Sequence, residues 1–338
     1  MMNEITPTRT TYDELAKQAG VSKATVSRVM NGDTKVHPER MAAVLAAVEA
    51  SGYKLNRAAR ALSTGRTGLI AVVIDDDVSA LADPFWGIVT SGISQVLMQN
   101  ELQTLLLVAP LDSLDGPVAH YLERGEVDGA IFVQVHKDNL VRKLHKQGLP
   151  VVVMGTPMSK ASSIPFADTD NIAGGSQATN HLFSRGCRRV ATITGDVEAS
   201  AGQNRLQGYK NAVTENGLEV DKGLIGFADW TFESAKTVML RLLARHPDID
   251  GVFAANDLMA IGAIAAIEER GKRVPDDIAV VGFDDSLMAQ THRPSITTVR
   301  QDIVGLGVAV AETMLAVIRG EKPDPKMLPT ELVIRESA

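Results

Sequence analysis

Downstream of Gly65-Arg66-Thr67-Gly68, apolar runs of strand length alternate with longer amphipathic segments, and this alternation is what most restricts the fold. The runs are 69–75, 104–109, 129–133, 151–154, 190–194, 251–255 and 278–282. Their Val, Ile and Leu content marks strands buried on both faces, as in parallel sheets covered by helices. Between them, 87–99, 172–185, 205–215, 232–245 and 258–270 can each serve as a crossover helix. Four strands precede residue 160 and three follow, too many for one compact sheet of ordinary width. Two α/β lobes are expected.

The first 68 residues have a different texture. Residues 1–10 are polar and read as a disordered tail, and three short helical patterns follow within 11–51. Tyr12, Leu15, Ala16 and Ala19 recur at helical spacing, with Thr11 as N-cap and Glu14 three residues on, a capping box. Gly20 lets the chain turn, Val21 supplies an apolar plug, and Ser22 caps a second helix running to Met30. In that helix Val26 and Val29 face the first helix, while Lys23, Ala24, Ser27 and Arg28 face outward. Arg28 can offer a bidentate fork to guanine, Lys23 can reach guanine or phosphate, and Ala24 is small enough to let the backbone approach. Thr25 and Ser27 suit phosphate. Asn31-Gly32 ends the helix, Pro38 opens a third at its first position, and Gly52 closes it. A fourth segment, 57–63, capped by Asn56, carries Arg57, Arg60 and Leu62, flanked by Lys54 and Arg66. A short basic helix with one protruding leucine suits minor-groove insertion, whereas without that role Leu62 is a core residue. On spacing alone, a three-helix protein-interaction module remains the alternative.

The charge distribution favours DNA. The 338-residue chain carries a net −7, yet residues 1–66 hold ten Lys or Arg against six Asp or Glu. A basic head can hold phosphates while an acidic body discourages nonspecific wrapping. A composition 45% hydrophobic and 22% charged is that of an ordinary globular protein with two or three domains. Neither a signal peptide nor a membrane span is read from the sequence, so a cytoplasmic protein is expected, nucleoid-associated when bound to DNA. The single cysteine, Cys187, excludes an intramolecular disulfide and reads as a buried thiol. No metal or cofactor is expected.

The motifs Ala19-Gly20-Val21-Ser22, Ala24-Thr25-Val26-Ser27-Arg28-Val29-Met30-Asn31, Gly52-Tyr53 with Asn56, and Ala58-Ala59-Arg60-Ala61-Leu62 closely resemble the lactose/galactose repressor (LacI/GalR) family. Downstream, Asp83-Pro84-Phe85, Val127-Asp128-Gly129, Asp170-Asn171, Arg205 with Gly208-Tyr209, Asn256-Asp257, Val281-Gly282-Phe283-Asp284-Asp285 and Pro294 through Gln301 extend the likeness almost to the C-terminus. The resemblance implies an all-α helix-turn-helix headpiece followed by a periplasmic-binding-protein-like α/β sensor of two parallel-sheet lobes. It implies a homodimer on a near-palindromic double-stranded operator, with a hinge helix that orders only on DNA. Leu62 would be the wedge at the central base step, with Ala59 beside it, and Lys23, Ala24 and Arg28 the base readers. The candidate DNA-contacting set is Thr11, Ser22, Lys23, Ala24, Thr25, Ser27, Arg28, Asn31, Tyr53, Asn56, Arg57, Ala59, Arg60 and Leu62. The implied organisation is a headpiece at 11–55, a hinge helix and linker at 56–67, and a sensor at 68–338. Lobe 1 would span about 68–166 and 295–325, lobe 2 about 167–294 and 326–338, with three crossings between them. The lack of a terminal leucine heptad favours a dimer over a tetramer.

In open α/β sheets ligands bind beyond the carboxyl ends of strands, which makes Trp86, Arg205, Asn256 and Asp284 the effector-binding candidates. A carboxylate, an amide and a guanidinium suit the paired donors and acceptors of vicinal hydroxyls. Trp86 and Trp230, the only tryptophans, fall where the resemblance places ligand-facing apolar residues. Such faces stack on a sugar ring, and equally on a purine. Phe85 divides evenly between cleft and core, and Asp257 reads as a helix cap. Gly155 stands where some sugar-responsive relatives carry an acid, so the lactose-type contact set is incomplete.

The expected function is an effector-responsive repressor of carbohydrate-utilisation genes, released from its operator by a sugar. A purine-like corepressor is the alternative. A solute-binding protein would lack residues 11–64. An enzyme finds no support, because no Walker loop, G-x-G-x-x-G or G-x-S-x-G motif is present and the seven histidines are scattered.

Overall fold

The computed structural model describes residues 11–30, 35–51, 53, 65–76, 81–110, 116–134, 139–157 and 163–338. The expected tail, Asn31, Gly52 and the hinge residues Asn56, Arg57, Ala59, Arg60 and Leu62 lie outside the described residues. The chain divides after Gly68 into two units.

In the first unit, α1 (Tyr12–Ala19), α2 (Lys23–Met30) and α3 (Pro38–Ser51) enclose a small core of Leu15, Ala16, Val26, Val29, Val44 and Ala47. The capping box forms as the sequence dictates: the Thr11 amide donates to the Glu14 carboxylate at 2.7 Å and the Glu14 amide to Thr11 Oγ1 at 3.4 Å. Gly20 takes a left-handed φ of 65°, which turns the chain tightly into α2. Ser22 Oγ then accepts from the Thr25 amide at 3.2 Å, satisfying one of the free donors at the start of α2.

The second unit is built on two six-stranded sheets. Its strands are β1 (Leu69–Ile74), β2 (Gln103–Val108), β3 (Gly129–Gln134), β4 (Val151–Met154), β5 (Phe166–Thr169), β6 (Val190–Thr194), β7 (Ile225–Phe227), β8 (Gly251–Ala254), β9 (Ala279–Asp284), β10 (Thr297–Gln301), β11 (Lys326–Leu328) and β12 (Thr330–Val333). Its helices are α4 (Pro84–Gln99), α5 (Pro117–Glu123), α6 (Asn139–Lys146), α7 (Asn171–Ser184), α8 (Ser200–Glu215), α9 (Phe232–Arg245), α10 (Asp257–Glu269), α11 (Leu287–Thr291) and α12 (Ile303–Ile318). The first sheet has the order β11-β5-β4-β3-β1-β2 and is wholly parallel. The second has the order β12-β10-β9-β8-β6-β7, parallel except where β12 pairs antiparallel with β10. Apolar cores line both faces of each sheet, which is why strands such as Leu69–Ile74 read as continuous aliphatic runs.

The chain passes between the sheets three times, from β5 into α7, from β10 into α12 and from β11 into β12. The expected lobe limits shift at these passages. The sequence places residues 167–169 in lobe 2, yet β5 pairs within the first sheet, Ala167 against Lys326 and Thr169 against Leu328. The sequence likewise places 295–301 in lobe 1, yet β10 runs beside β9 in the second sheet, and 326–328 joins the first sheet instead of lobe 2. Hydrogen-bond ladders decide membership here, and these segments are too short and too polar to announce a partner: β10 reads Thr-Thr-Val-Arg-Gln. Helix α12 escaped the amphipathic reading for the opposite reason. It is apolar almost all round, as a helix buried against a sheet is.

Helix pairs approach closely through glycine. A Cβ on Gly175 of α7 would overlap the Arg205 carbonyl oxygen of α8, and one on Gly208 would overlap the Ile172 carbonyl oxygen. Gly92 and Gly307 do the same for α4 and α12, against the Val304 and Val89 carbonyls. An alanine at Gly175 gains about 1 kcal/mol in helix propensity. A rigid backbone oxygen cannot rotate away, however, and overpacking of this kind costs about 1–3 kcal/mol. Gly175→Ala is therefore expected to lower the thermal midpoint, and an unchanged or higher midpoint would refute the close-packing account.

Candidate functional site

A cavity of about 650 Å³ lies between the two sheets, within the range that holds a drug-sized ligand. All six sequence candidates, Phe85, Trp86, Arg205, Trp230, Asn256 and Asp284, line it.

Arg205 is its structural centre. The side chain leaves the first turns of α8 and is only 6% exposed. Its Nε donates to Asn171 Oδ1 at 2.8 Å, and Nη1 donates to the Ala255 carbonyl at 2.5 Å and approaches Asp284 Oδ1 at 3.5 Å. The guanidinium carbon sits 3.6 Å from the centre of the Phe283 ring and 5.5 Å from that of Trp230, a favourable placement over the negative faces of both. Burial pulls the Arg205 pKa down, and the surrounding carboxylates of Asp284, Asp168 and Asp257 pull it back up. Asp284, at the end of β9, also accepts from Gln301 Nε2 at 2.6 Å. It has a φ of 106°, and Trp230 a φ of 72°, both in the region that L-residues rarely adopt. Two strained residues facing one cavity mark where the fold gives up local stability to aim side chains.

Asn256 is spoken for within the fold. Its Oδ1 accepts from the Met259 amide at 2.8 Å, capping α10, and its Nδ2 donates to the Trp230 carbonyl at 3.1 Å. Asn256 is thus the cap that the sequence reading gave to Asp257. Asp257 is instead buried, accepting from Thr298 Oγ1 at 2.5 Å and the Ser286 amide at 2.7 Å. Trp230 gains its place because Gly195 has no side chain where the indole lies. In the first lobe, Phe85 and Trp86 meet edge to face at 5.1 Å. Trp86 is 9% exposed, so it serves the core of that lobe as well as the cavity wall.

Sequence reading missed the polar floor. Asp168 accepts from the Thr156 amide and hydroxyl at 2.9 and 2.8 Å, from the Thr169 amide at 2.8 Å and from Asn171 Nδ2 at 3.0 Å. Thr169 Oγ1 in turn donates to Gln301 Oε1 at 2.9 Å. Asn171, Thr169 and Gln301 sit at two of the passages between sheets, so the floor ties Arg205 and Asp284 to the connecting segments. The Asp170-Asn171 and Gln301 motifs were visible in the sequence; Asp168 lay in a strand too short to be read.

Burial raises both Asp284, to about 7, and Asp257, to about 6, with Arg205 and hydrogen bonds opposing. A carboxyl whose folded pKa is raised binds its proton more tightly in the folded state. Its contribution to stability therefore grows as pH falls from about 7 toward the ordinary carboxylate range and is lost as pH rises again. Asp284→Asn is expected to flatten the rise in melting temperature between about pH 7.5 and pH 5. A profile parallel to the unmodified protein's would contradict the shift.

On the headpiece, Ser22, Lys23, Ala24 and Arg28 are exposed, Thr25 and Ser27 half-buried, and Val26 and Val29 turned inward. Lys23 Nζ forms an exposed ion pair with Asp13 at 2.8 Å, a contact worth little in water. Thr11 is held in the α1 cap, and Tyr53 packs against Tyr12 with ring centres 5.8 Å apart. Among the described residues, no three or more His, Cys, Asp or Glu are grouped to hold a metal ion, and no helix is long and apolar enough to cross a membrane.

A helix-turn-helix unit joined to a two-lobed α/β body with an internal cavity defines a DNA-binding regulator with a sensor domain. Residues 11–56 match the bacterial regulatory proteins of the lacI family, and residues 179–338 match a periplasmic binding protein-like domain. The HTH-type transcriptional regulator CelR of Thermobifida fusca is 39% identical over 334 residues, covering 97% of this chain and 98% of that protein. The chain belongs to the lacI family of DNA-binding transcription regulators and is not an enzyme. Among solved structures, a CelR–cellobiose complex aligns over 98% of this chain and all of that one, with 36% identity and a TM-score of 0.76. The Lac repressor dimer bound to operator and the anti-inducer ONPF aligns over 97% of this chain and 98% of that one, at 26% identity and a TM-score of 0.83.

Proposed function

We propose that this regulator is a repressor of carbohydrate-utilisation genes that binds a near-palindromic operator as a homodimer and is released when a sugar fills the cavity between its lobes. The observation that carries the reading is the cavity itself, where the Arg205–Asp284 pair and the Trp230 face meet. A charged donor and acceptor side by side suit vicinal hydroxyls, and an indole suits the C–H face of a ring. The likeness to a CelR–cellobiose complex supports a sugar, and the likeness to an operator-bound Lac repressor dimer supports the assembly. Lobe closure around the ligand supplies the switch, because the three passages between sheets form a hinge. Such a protein works in the cytoplasm, on the nucleoid when DNA-bound.

On DNA, Lys23, Ala24 and Arg28 read base edges. Ser22, Thr25 and Ser27 hold phosphates, with Thr11, Asn31, Tyr53, Asn56, Arg57 and Arg60 along the backbone and Leu62, beside Ala59, as the wedge. The residues 11–55 form the headpiece and 56–67 the hinge. Lys23 must exchange Asp13 for DNA, which costs little because the pair is exposed.

Arg28→Ala is expected to cost about 1–3 kcal/mol at its cognate base pair and to relax specificity there. Equal loss on all operator variants, measured by fluorescence anisotropy, would make Arg28 a phosphate clamp instead. Thermal-shift screening of neutral sugars against nucleobases should give stabilisation by a sugar. A response confined to purines would replace the sugar with a corepressor.

A further inference from the structure

Behind the cavity wall, the turn that aims Asp284 is held by residues that do not reach the cavity. Asp284 and Asp285, consecutive at the end of β9, have φ of 106° and 55°, so two L-residues in a row leave the ordinary regions of backbone conformation. Such a backbone persists only where its surroundings over-determine it. Arg205 and Gln301 meet Asp284 on the cavity side, at 3.5 and 2.6 Å.

Further restraint comes from the opposite side. The buried Asp285 carboxylate accepts from Arg300 Nε at 2.7 Å and from Arg335 Nη2. Arg335, in the segment after β12, is itself fixed, since its amide donates to Thr297 Oγ1 at 2.9 Å and its Nη1 to the Ile296 carbonyl at 2.8 Å. One residue further, the Ser286 amide donates to Asp257 Oδ2 at 2.7 Å. The turn is thus clamped at 285 by a guanidinium and at 286 by a carboxylate. Asp284 lines the cavity, whereas Asp285, Arg300 and Arg335 do not.

The two cations on Asp285 differ in weight. Arg300 is 49% exposed and also faces Glu331 at 3.3 Å, so its pairing counts for little in water. Arg335 is 16% exposed, and a pair so enclosed is strongly sensitive to the loss of one partner. A site binds well only while the groups that touch its ligand are kept within about 0.5 Å of the productive geometry by their supports. Asp284 shares a peptide bond with Asp285, so a turn released at one residue displaces the other.

We infer that Asp285 and Arg335 are positioning residues for effector binding: the ion pair they form behind β9 holds the turn that directs the Asp284 carboxylate into the cavity. The inference rests on the reading above that the cavity holds the effector, and it adds residues that act on that ligand without touching it.

The test is isothermal titration of the full chain with cellobiose, maltose, glucose, ribose, hypoxanthine and guanine, followed by titration of variants with the tightest binder. Arg335→Met should weaken that binder at least about tenfold. Asp285→Asn, which keeps the side-chain shape and removes the charge, should weaken it in the same direction and carries the test alone if Arg335→Met does not fold. Arg335→Lys, which restores a cation beside Asp285, should recover most of the loss. A merely structural pair would lower the thermal midpoint of these variants while leaving the effector affinity of the folded protein within about twofold of the original. That result, or a loss that lysine does not recover, overturns the positioning role and leaves the sugar reading standing. If only a nucleobase binds, the sugar reading falls and the same variants, titrated with that nucleobase, still decide the positioning role. A panel in which nothing binds overturns both.

Discussion

The sensor is organised around a positive charge buried where water cannot solvate it. Removing a guanidinium from water is expensive, and the cost is offset only when every side of the group is met by a partner of matching shape and polarity. Around Arg205 those partners come from four directions: Asn171 at a passage between the sheets, the Ala255 carbonyl after β8, Asp284 at the tip of β9, and the Phe283 ring below. Each contact fixes the element that supplies it. The glycine contacts between α7 and α8 follow from the same requirement, since Arg205 reaches Asn171 because the two helix backbones nearly touch.

This arrangement explains why Asp284 and Trp230 occupy left-handed conformations that their residue types disfavour. Asp284 is the last residue of β9. Turned by its backbone, it faces both the guanidinium and the Gln301 amide. Asn256 performs a similar double service, ending its own strand with a helix cap while holding the Trp230 carbonyl.

The α/β alternation was legible because buried parallel strands leave long aliphatic runs, and the headpiece because caps and turns use few residue types at fixed spacing. The chemistry of the cavity was legible one residue at a time, at strand ends. What escaped reading was relational. Thr297–Gln301 carries no sign of which sheet it joins, since a ladder is chosen by a distant neighbour. Asp168 looked like any acidic residue until four donors converged on it. Asn256 and Asp257 are adjacent, and only three-dimensional neighbours decide which one caps and which one is buried.

Because β10 and β12 complete the second sheet while β11, between them in sequence, completes the first, neither lobe is a continuous stretch of chain. No single cut within the sensor releases one lobe whole, and each would lack strands that the other segment carries. Recombination that exchanges sensors between regulators therefore has one clean seam, the linker before Leu69, whereas exchanging half a sensor would require several simultaneous breakpoints. Specificity for DNA and specificity for the effector can be shuffled against each other, but the two walls of the cavity must be inherited together.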